Sequence, residues 1–464
     1  MTDLHYQTLS ETVAQLKSGA LSSVALTQHM LSRIEQLQPQ LKCYAMVLAE
    51  QAMQQAQAAD DLRANGEPLG VLHGVPIAVK DLIFTLGIPT ASGTKVMADF
   101  RPTYDATVLT RLRQAGAVVL GKVQLTEGAF GSHHPDITPP VNPYQSQLWP
   151  GVSSSGSGVS VSAGLAFAAL GSDTGGSIRF PSACCGLVGI KPTYGRVSRH
   201  GVFPLAQSLD HIGPMTRSVA DAARMLGVIA GVDTLDQTSL DAPVPNYLEF
   251  EAAELSGFNV GVDWQYVSQG VDPAVVDMTR EVAQQFTNLG AYVQEIEMPP
   301  SYLELVREWG VTCGVECAQA HYDFYPQQAE LYGPGLSRLL DLGLSVPREH
   351  YQRLEVTRRQ FRQQLDSVLD TVDVILAPCL TMPVPEAHAI EGNVVEDAGQ
   401  AEFITFTAPF DYSGHPTITM PAGLDGQGRP LSFQLIGRHL AEPTLIQAGF
   451  AYEHLQGRQP HPDC

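Results

Sequence analysis

From residue 150 to 198 the chain is built largely of small residues: PGVSSSGSGVSVSAGLAFAALGSDTGGSIRFPSACCGLVGIKPTYGRVS. The run VSVSAGLAFAAL (159–170) reads as a helix that is small on every face. Such a helix has no solvated side and must pack closely against other elements. The rest of the chain has the material to surround it. It has 464 residues, 44% of them apolar and only 16% charged. That balance excludes a disordered chain and supplies a large core. Glycine (42) and proline (32) recur without a period, which means many tight turns and excludes a collagen-like repeat.

The net charge is −21. A field of that sign repels nucleic acid and anionic lipid, so neither is an expected partner. Seven cysteines, including the adjacent Cys184 and Cys185 and the terminal Cys464, do not form a disulfide framework and fit free thiols in a reducing compartment. MTDLHYQTLSETVAQLKSG lacks the basic start and apolar stretch of a signal peptide, and no run of about 18 apolar residues occurs. The expected location is the cytoplasm.

Periodicity predicts helices from residue 7 to 60, with Val24, Leu26, Met30, Leu31 and Ile34 on one face of 23–37 and a polar helix at 51–61. LGVLHGVPIAV (69–79) reads as a buried strand, and 106–123 as a helix and strand divided at Gly116. Helix and strand patterns alternate again after 219, with strands at 259–262, 292–296, 373–377, 417–420 and 432–436. Residues 301–370 are mostly helical. Without a long linker, charge block or repeat, the expectation is one α/β domain over 1–464. A central mixed β-sheet is covered by helices on both faces, with a core motif region at 69–218 and a helical cover at 301–370.

Several chemistries fail on spacing. Gly156-Ser157-Gly158 opens a dinucleotide fingerprint, but Val161 stands at the third glycine position. GSDTGGSI (171–178) lacks the lysine of a phosphate loop. Ser92-Gly93-Thr94-Lys95 is an SxxK match without its companion KTG. His133, His134, His200 and His211 show no metal-ligand spacing, and Cys313 and Cys317 read as a helical pair. No metal or cofactor is expected.

What remains is a set of long, ordered blocks. They are GVPIAVKDLI (74–83), the serine-rich loop 150–158, GSDTGGSIRFPSACCGLVGIKPTYGRVS (171–198) and SLDHIGPMTRSVADAA (208–223). DVILAP (373–378) follows, then GHPTITMPAG and FQLIG within 414–437. In these the chain resembles the amidase signature family of serine hydrolases over nearly its whole length. By position, the resemblance implies Ser177 as nucleophile, Ser153 as bridging serine and Lys80 as base, with a cis peptide at the bridging serine. It implies a small-molecule amide as substrate, with esters or carbamates as further candidates.

The chemistry of these residue types fits. A serine hydroxyl needs a base within hydrogen-bond reach. A lysine amine is a base only when neutral, which at a pKa of about 10.4 holds for roughly one molecule in a few thousand at pH 7. Burial behind Ile77, Ala78 and Val79 would lower that pKa. Asp81 need not cancel the effect, since alternate strand residues face opposite sides. The backbone N–H groups of Thr174, Gly175, Gly176 and Ser177 are the expected oxyanion donors. Phe130, Gly131, Ser154 and Trp309 are the expected substrate contacts. Asp173 and Arg179 read as a structural pair, and Lys191 as a support of the core loop. Val152 and Ser155 stand where the family has glycines, which bears on loop shape and substrate clearance.

A second function stays open: the glutamine-hydrolysing component of a tRNA-dependent amidotransferase. That branch carries a tyrosine-rich segment, and the corresponding stretch LLDLGLSVPREHYQRLEV (339–356) holds only Tyr351. The acyl and amine parts of the substrate are not readable, nor is the choice between monomer and homodimer.

Overall fold

In the computed structural model, which describes residues 3–390 and 403–464, the apolar run before Lys80 becomes a fully buried strand. The strands are β1 (Tyr44–Val47), β2 (Pro76–Lys80), β3 (Val118–Val123), β4 (Ala168–Asp173), β5 (Val188–Lys191) and β6 (His211–Thr216). β7 (Asn259–Val262), β8 (Tyr292–Glu295), β9 (Val374–Pro378), β10 (Thr417–Leu424) and β11 (Pro430–Gly437) follow. All lie in one sheet of order β1-β3-β2-β4-β6-β5-β10-β11-β9-β7-β8. β2 runs parallel to β3 and β4, and β7 parallel to β8 and β9; every other pairing is antiparallel. The result is a single-domain α/β fold whose mixed sheet is flanked by helices. Every residue of β2, β3, β4 and β6 is buried, as expected of strands covered on both faces.

Three expected elements differ. The helices read over 7–60 are interrupted by β1, which pairs with β3. The strand read at 69–79 is confined to 76–80, because Gly74, at φ 70°, turns the chain just before it. The helix read at 159–170 occupies Ser155–Ser162 instead, with all its residues buried. Gly164, at φ 65°, ends it, and Phe167 N–H then donates to Pro76 O at 3.1 Å, drawing 168–173 into the sheet beside β2. The chain thus comes back along β4.

Residues 301–370 form the helices Tyr302–Arg307, Trp309–Ala320, Pro334–Ser345 and Arg348–Leu369. The second and third touch through glycine: a Cβ on Gly343 would lie 1.9 Å from Gly314 O. Among the described residues, no helix is long and apolar enough to cross a membrane.

Candidate active site

Lys80 ends β2, between two parallel neighbours. The carboxyl ends of parallel strands are where loops from different strands converge. Lys80 is fully buried. Its amine lies 2.7 Å from Ser153 Oγ, 2.8 Å from Ser154 Oγ and 2.8 Å from Ser172 Oγ. It has no carboxylate partner among the described residues; Asp81 faces Lys122 instead, at 3.1 Å. Burial pushes the Lys80 pKa down to about 7, against an upward pull from Asp173 and Asp210. Depression alone marks nothing, since burial also brings Lys191 down to about 7. Lys191 donates to a backbone carbonyl, His415 O, at 2.6 Å, whereas Lys80 meets three hydroxyls. An ammonium can donate to all three; a neutral amine donates to two and accepts from the third.

The serine loop is held from both sides. Ser153 O accepts from Thr126 N–H at 3.3 Å, and Ser154 N–H donates to Ser177 O at 3.3 Å. The Val152–Ser153 peptide is cis. Ser177 follows β4 on a turn shaped by one carboxylate. Asp173 Oδ1 accepts from Gly176 N–H at 2.7 Å, and Oδ2 from Ile178 N–H at 2.9 Å and Arg179 N–H at 3.2 Å. The Arg179 guanidinium closes the arrangement at 2.8 Å from Asp173 Oδ1 and 2.6 Å from Asp411 Oδ2. Burial pushes the Asp173 carboxyl up, but Arg179 outweighs it and holds Asp173 well below the usual carboxylate range. The structural pairing expected for Asp173 and Arg179 is present.

Ser177 is part-exposed while its neighbours on both sides are buried. It opens on a cavity of about 40 Å³ that Phe130, Gly131, Val152, Phe180 and Trp309 line with no charged side chain. The Trp309 ring lies nearly parallel to that of Phe130, with centroids 6.2 Å apart, and its Nε1 donates to Thr174 O at 3.0 Å. A Cβ on Gly175 would come within 2.8 Å of Trp309 Cζ2.

Two expected roles change. Gly176 N–H is engaged by Asp173, which removes it from the donors open to an oxyanion. The N–H groups of Thr174, Gly175 and Ser177 have no acceptor among the described residues. Ser154 is fully buried, with its hydroxyl at Lys80 and 3.2 Å from Ser172 O, so it braces the amine and does not line the cavity. Phe130, Gly131 and Trp309 do line it.

Comparisons with known proteins bear on the family. The amidase family model matches residues 25–446. AmiD, an inferred amidase of Mycobacterium bovis, is 45% identical over 97% of this chain and 94% of its own length. A glutamyl-tRNA(Gln) amidotransferase subunit from a Cyanothece strain is 38% identical over 95% of this chain and 96% of its own. The peptide amidase of Stenotrophomonas maltophilia superposes with a TM-score of 0.84 at 29% identity, covering 99% of this chain and 98% of that one.

The chain belongs to the amidase signature family. It is a hydrolase acting on amide bonds. Within the family frame, sequence reasoning missed Ser172, the third hydroxyl at Lys80, because in sequence it stands out only as part of the segment Ser172-Asp173-Thr174. It also missed Thr407, whose Oγ1 donates to Gly175 O at 2.6 Å and whose carbonyl accepts from Arg179 at 2.9 Å. Nothing local marks a threonine 232 positions from the glycine it holds. Elsewhere, Asp366, His415 and His439 bring one donor atom each within 4.8 Å of one another, a grouping able to hold a metal ion. It lies outside the serine–lysine cluster.

Proposed function

We propose that this amidase signature enzyme works as a stand-alone amidase through an acyl-enzyme on Ser177, with Ser153 and Lys80 moving the proton. The observation that carries the reading is the buried Lys80 amine, with a pKa near 7, at 2.7 Å from Ser153 Oγ. Ser177 Oγ attacks the carboxamide carbon and the C–O bond forms. Its proton passes to Ser153 Oγ as the Ser153 proton passes to neutral Lys80. The carbonyl oxygen gains the electron pair and is held by the N–H groups of Gly175 and Ser177, with Thr174 as a third candidate. Such donors are worth about 3–4 kcal/mol each at the transition state. The C–N bond then breaks as Lys80 returns the proton through Ser153 to the leaving nitrogen. Water repeats the sequence at the acyl carbon and releases the carboxylate. The Ser177 hydroxyl makes no hydrogen bond to a described residue, as is common for catalytic groups whose bonds tighten only when substrate is bound.

The likeness to an amidotransferase component keeps glutamine as the second reading. The uncharged lining around Ser177 weighs against it, because glutamine carries an ammonium and a carboxylate that such walls do not pair. Seven free cysteines fit a reducing, cytoplasmic location. The test is ammonia release by the purified chain from a panel of aryl and aliphatic amides, with glutamine alongside. Turnover of simple amides, lost at least about a thousandfold in Ser177→Ala, is expected. Turnover that needs glutamine and added partner proteins would replace the first reading with the second.

A further inference from the structure

The two positions that depart from the family's glycines, Val152 and Ser155, both act on one place. Beside the Ser177 cavity lies a second one of about 430 Å³, and Gly131 and Val152 line both. Its walls are mostly apolar, with Ile137, Pro140, Trp149 and Ile390 among them. The charged side chain of the lining, Arg338, is exposed. His133 also lines it, and Ser155 fixes this ring, with its Oγ 3.2 Å from His133 Nε2. A glycine at 155 would leave the imidazole without that partner.

His133 Nδ1 has no partner among the described residues, yet it is not among the atoms sealed from solvent. One ring nitrogen is therefore tied to the serine loop and the other is open to a ligand. Burial keeps the imidazole neutral, pushing its pKa down to about 4. A neutral imidazole offers one donor and one acceptor. If the Ser155 hydroxyl donates to Nε2, Nδ1 presents an N–H; if it accepts, Nδ1 presents a lone pair. Either way the group offered is uncharged and makes one hydrogen bond in mostly apolar surroundings.

We infer that this cavity is a substrate subsite, in which His133, positioned by Ser155, hydrogen-bonds an uncharged polar group on an amide with a bulky apolar arm. The inference rests on the reading of Ser177 as nucleophile. The amide function sits at Ser177, and the arm passes between Gly131 and Val152 into the larger cavity. A cationic arm is disfavoured there, because a neutral imidazole cannot pair it and the charged side chain of the lining is itself the cation Arg338.

The test compares N-acetylphenylalanine amide, which has an aryl ring and an uncharged second amide, with propionamide, which is too short to have an arm. The readout is the ratio of their kcat/KM values in the native chain, His133→Ala, His133→Asn and Ser155→Gly, each checked for folding by circular dichroism. His133→Ala is expected to lower the ratio about tenfold, the size of one lost hydrogen bond between neutral groups, and mainly through KM. Ser155→Gly should lower it in the same direction, and His133→Asn, which keeps a neutral hydrogen-bonding group, should restore most of it. An equal loss on both substrates, no loss on either, or better turnover of glutamine than of the acetylated amide overturns the subsite. A native chain inert toward both amides instead counts against the Ser177 reading, and the subsite goes with it.

Discussion

At the scale of the residue, Lys80 suits the proposed role of base because of what it lacks. A buried ammonium beside a carboxylate would stay charged; this one meets only hydroxyls. Its pKa, pushed down to about 7, makes the enzyme's pH dependence legible. In the proposed mechanism the base must be neutral, so kcat/KM is expected to fall about tenfold per pH unit below 7 and to level off above it. Ser172→Ala removes one of three acceptors from the ammonium form. That form loses stability relative to the neutral amine, so the acid limb should move to lower pH, by up to about one unit. A pH–rate series on the variant checks both the direction and the size. Lys80 at the end of an apolar run is visible in sequence, as are Ser153 and Ser177 in their blocks. The separate jobs of Ser153 and its neighbour Ser154 are not. Both reach the same amine, and only three-dimensional placement shows that Ser154 also packs against Ser172 and stays away from the cavity.

At the scale of the element, the turn after β4 is rigid because Asp173 takes three backbone N–H groups and Arg179 then neutralises it. Gly176, at φ 129°, permits that turn, and a Cβ there would lie 2.4 Å from Phe180 Cε2. Arg179→Met would leave Asp173 and Asp411 buried without their common partner. A loss of about 3–5 kcal/mol is expected, read as a lower urea midpoint. The pairing of Asp173 with Arg179 can be anticipated from two charges in a small-residue block. The length of the helix before it cannot. Ala168, Ala169 and Leu170 suit a buried helix as well as a buried strand, and the decision falls to Gly164 and to the Pro76 carbonyl across the sheet.

At the scale of the molecule, the mixed sheet places Lys80 and the turn that carries Ser177, and a separate helical layer adds Trp309 to the wall of the Ser177 cavity. Trp309 belongs to that layer and lies over the Gly175 turn. The layer depends on the close approach of Gly314 and Gly343. Gly343→Ala should push helices 309–320 and 334–345 apart at a cost of about 1–3 kcal/mol. The expected outcome is a drop in activity of tenfold or more, with the circular dichroism of the sheet retained. The division into a core region and a helical cover is readable from the change of pattern near 301. The order of the eleven strands is not, because neighbours such as β5 and β10 are separated by more than 200 residues and no local signal joins them.

The most direct test of the account is the rate at which a fluorophosphonate phosphonylates Ser177, with loss of fluoride, between pH 5 and 9. The account expects a rate that climbs about tenfold per unit up to about pH 7 and then flattens, and that collapses in Lys80→Ala. A flat profile in the native protein, or an undiminished rate in that variant, would contradict it.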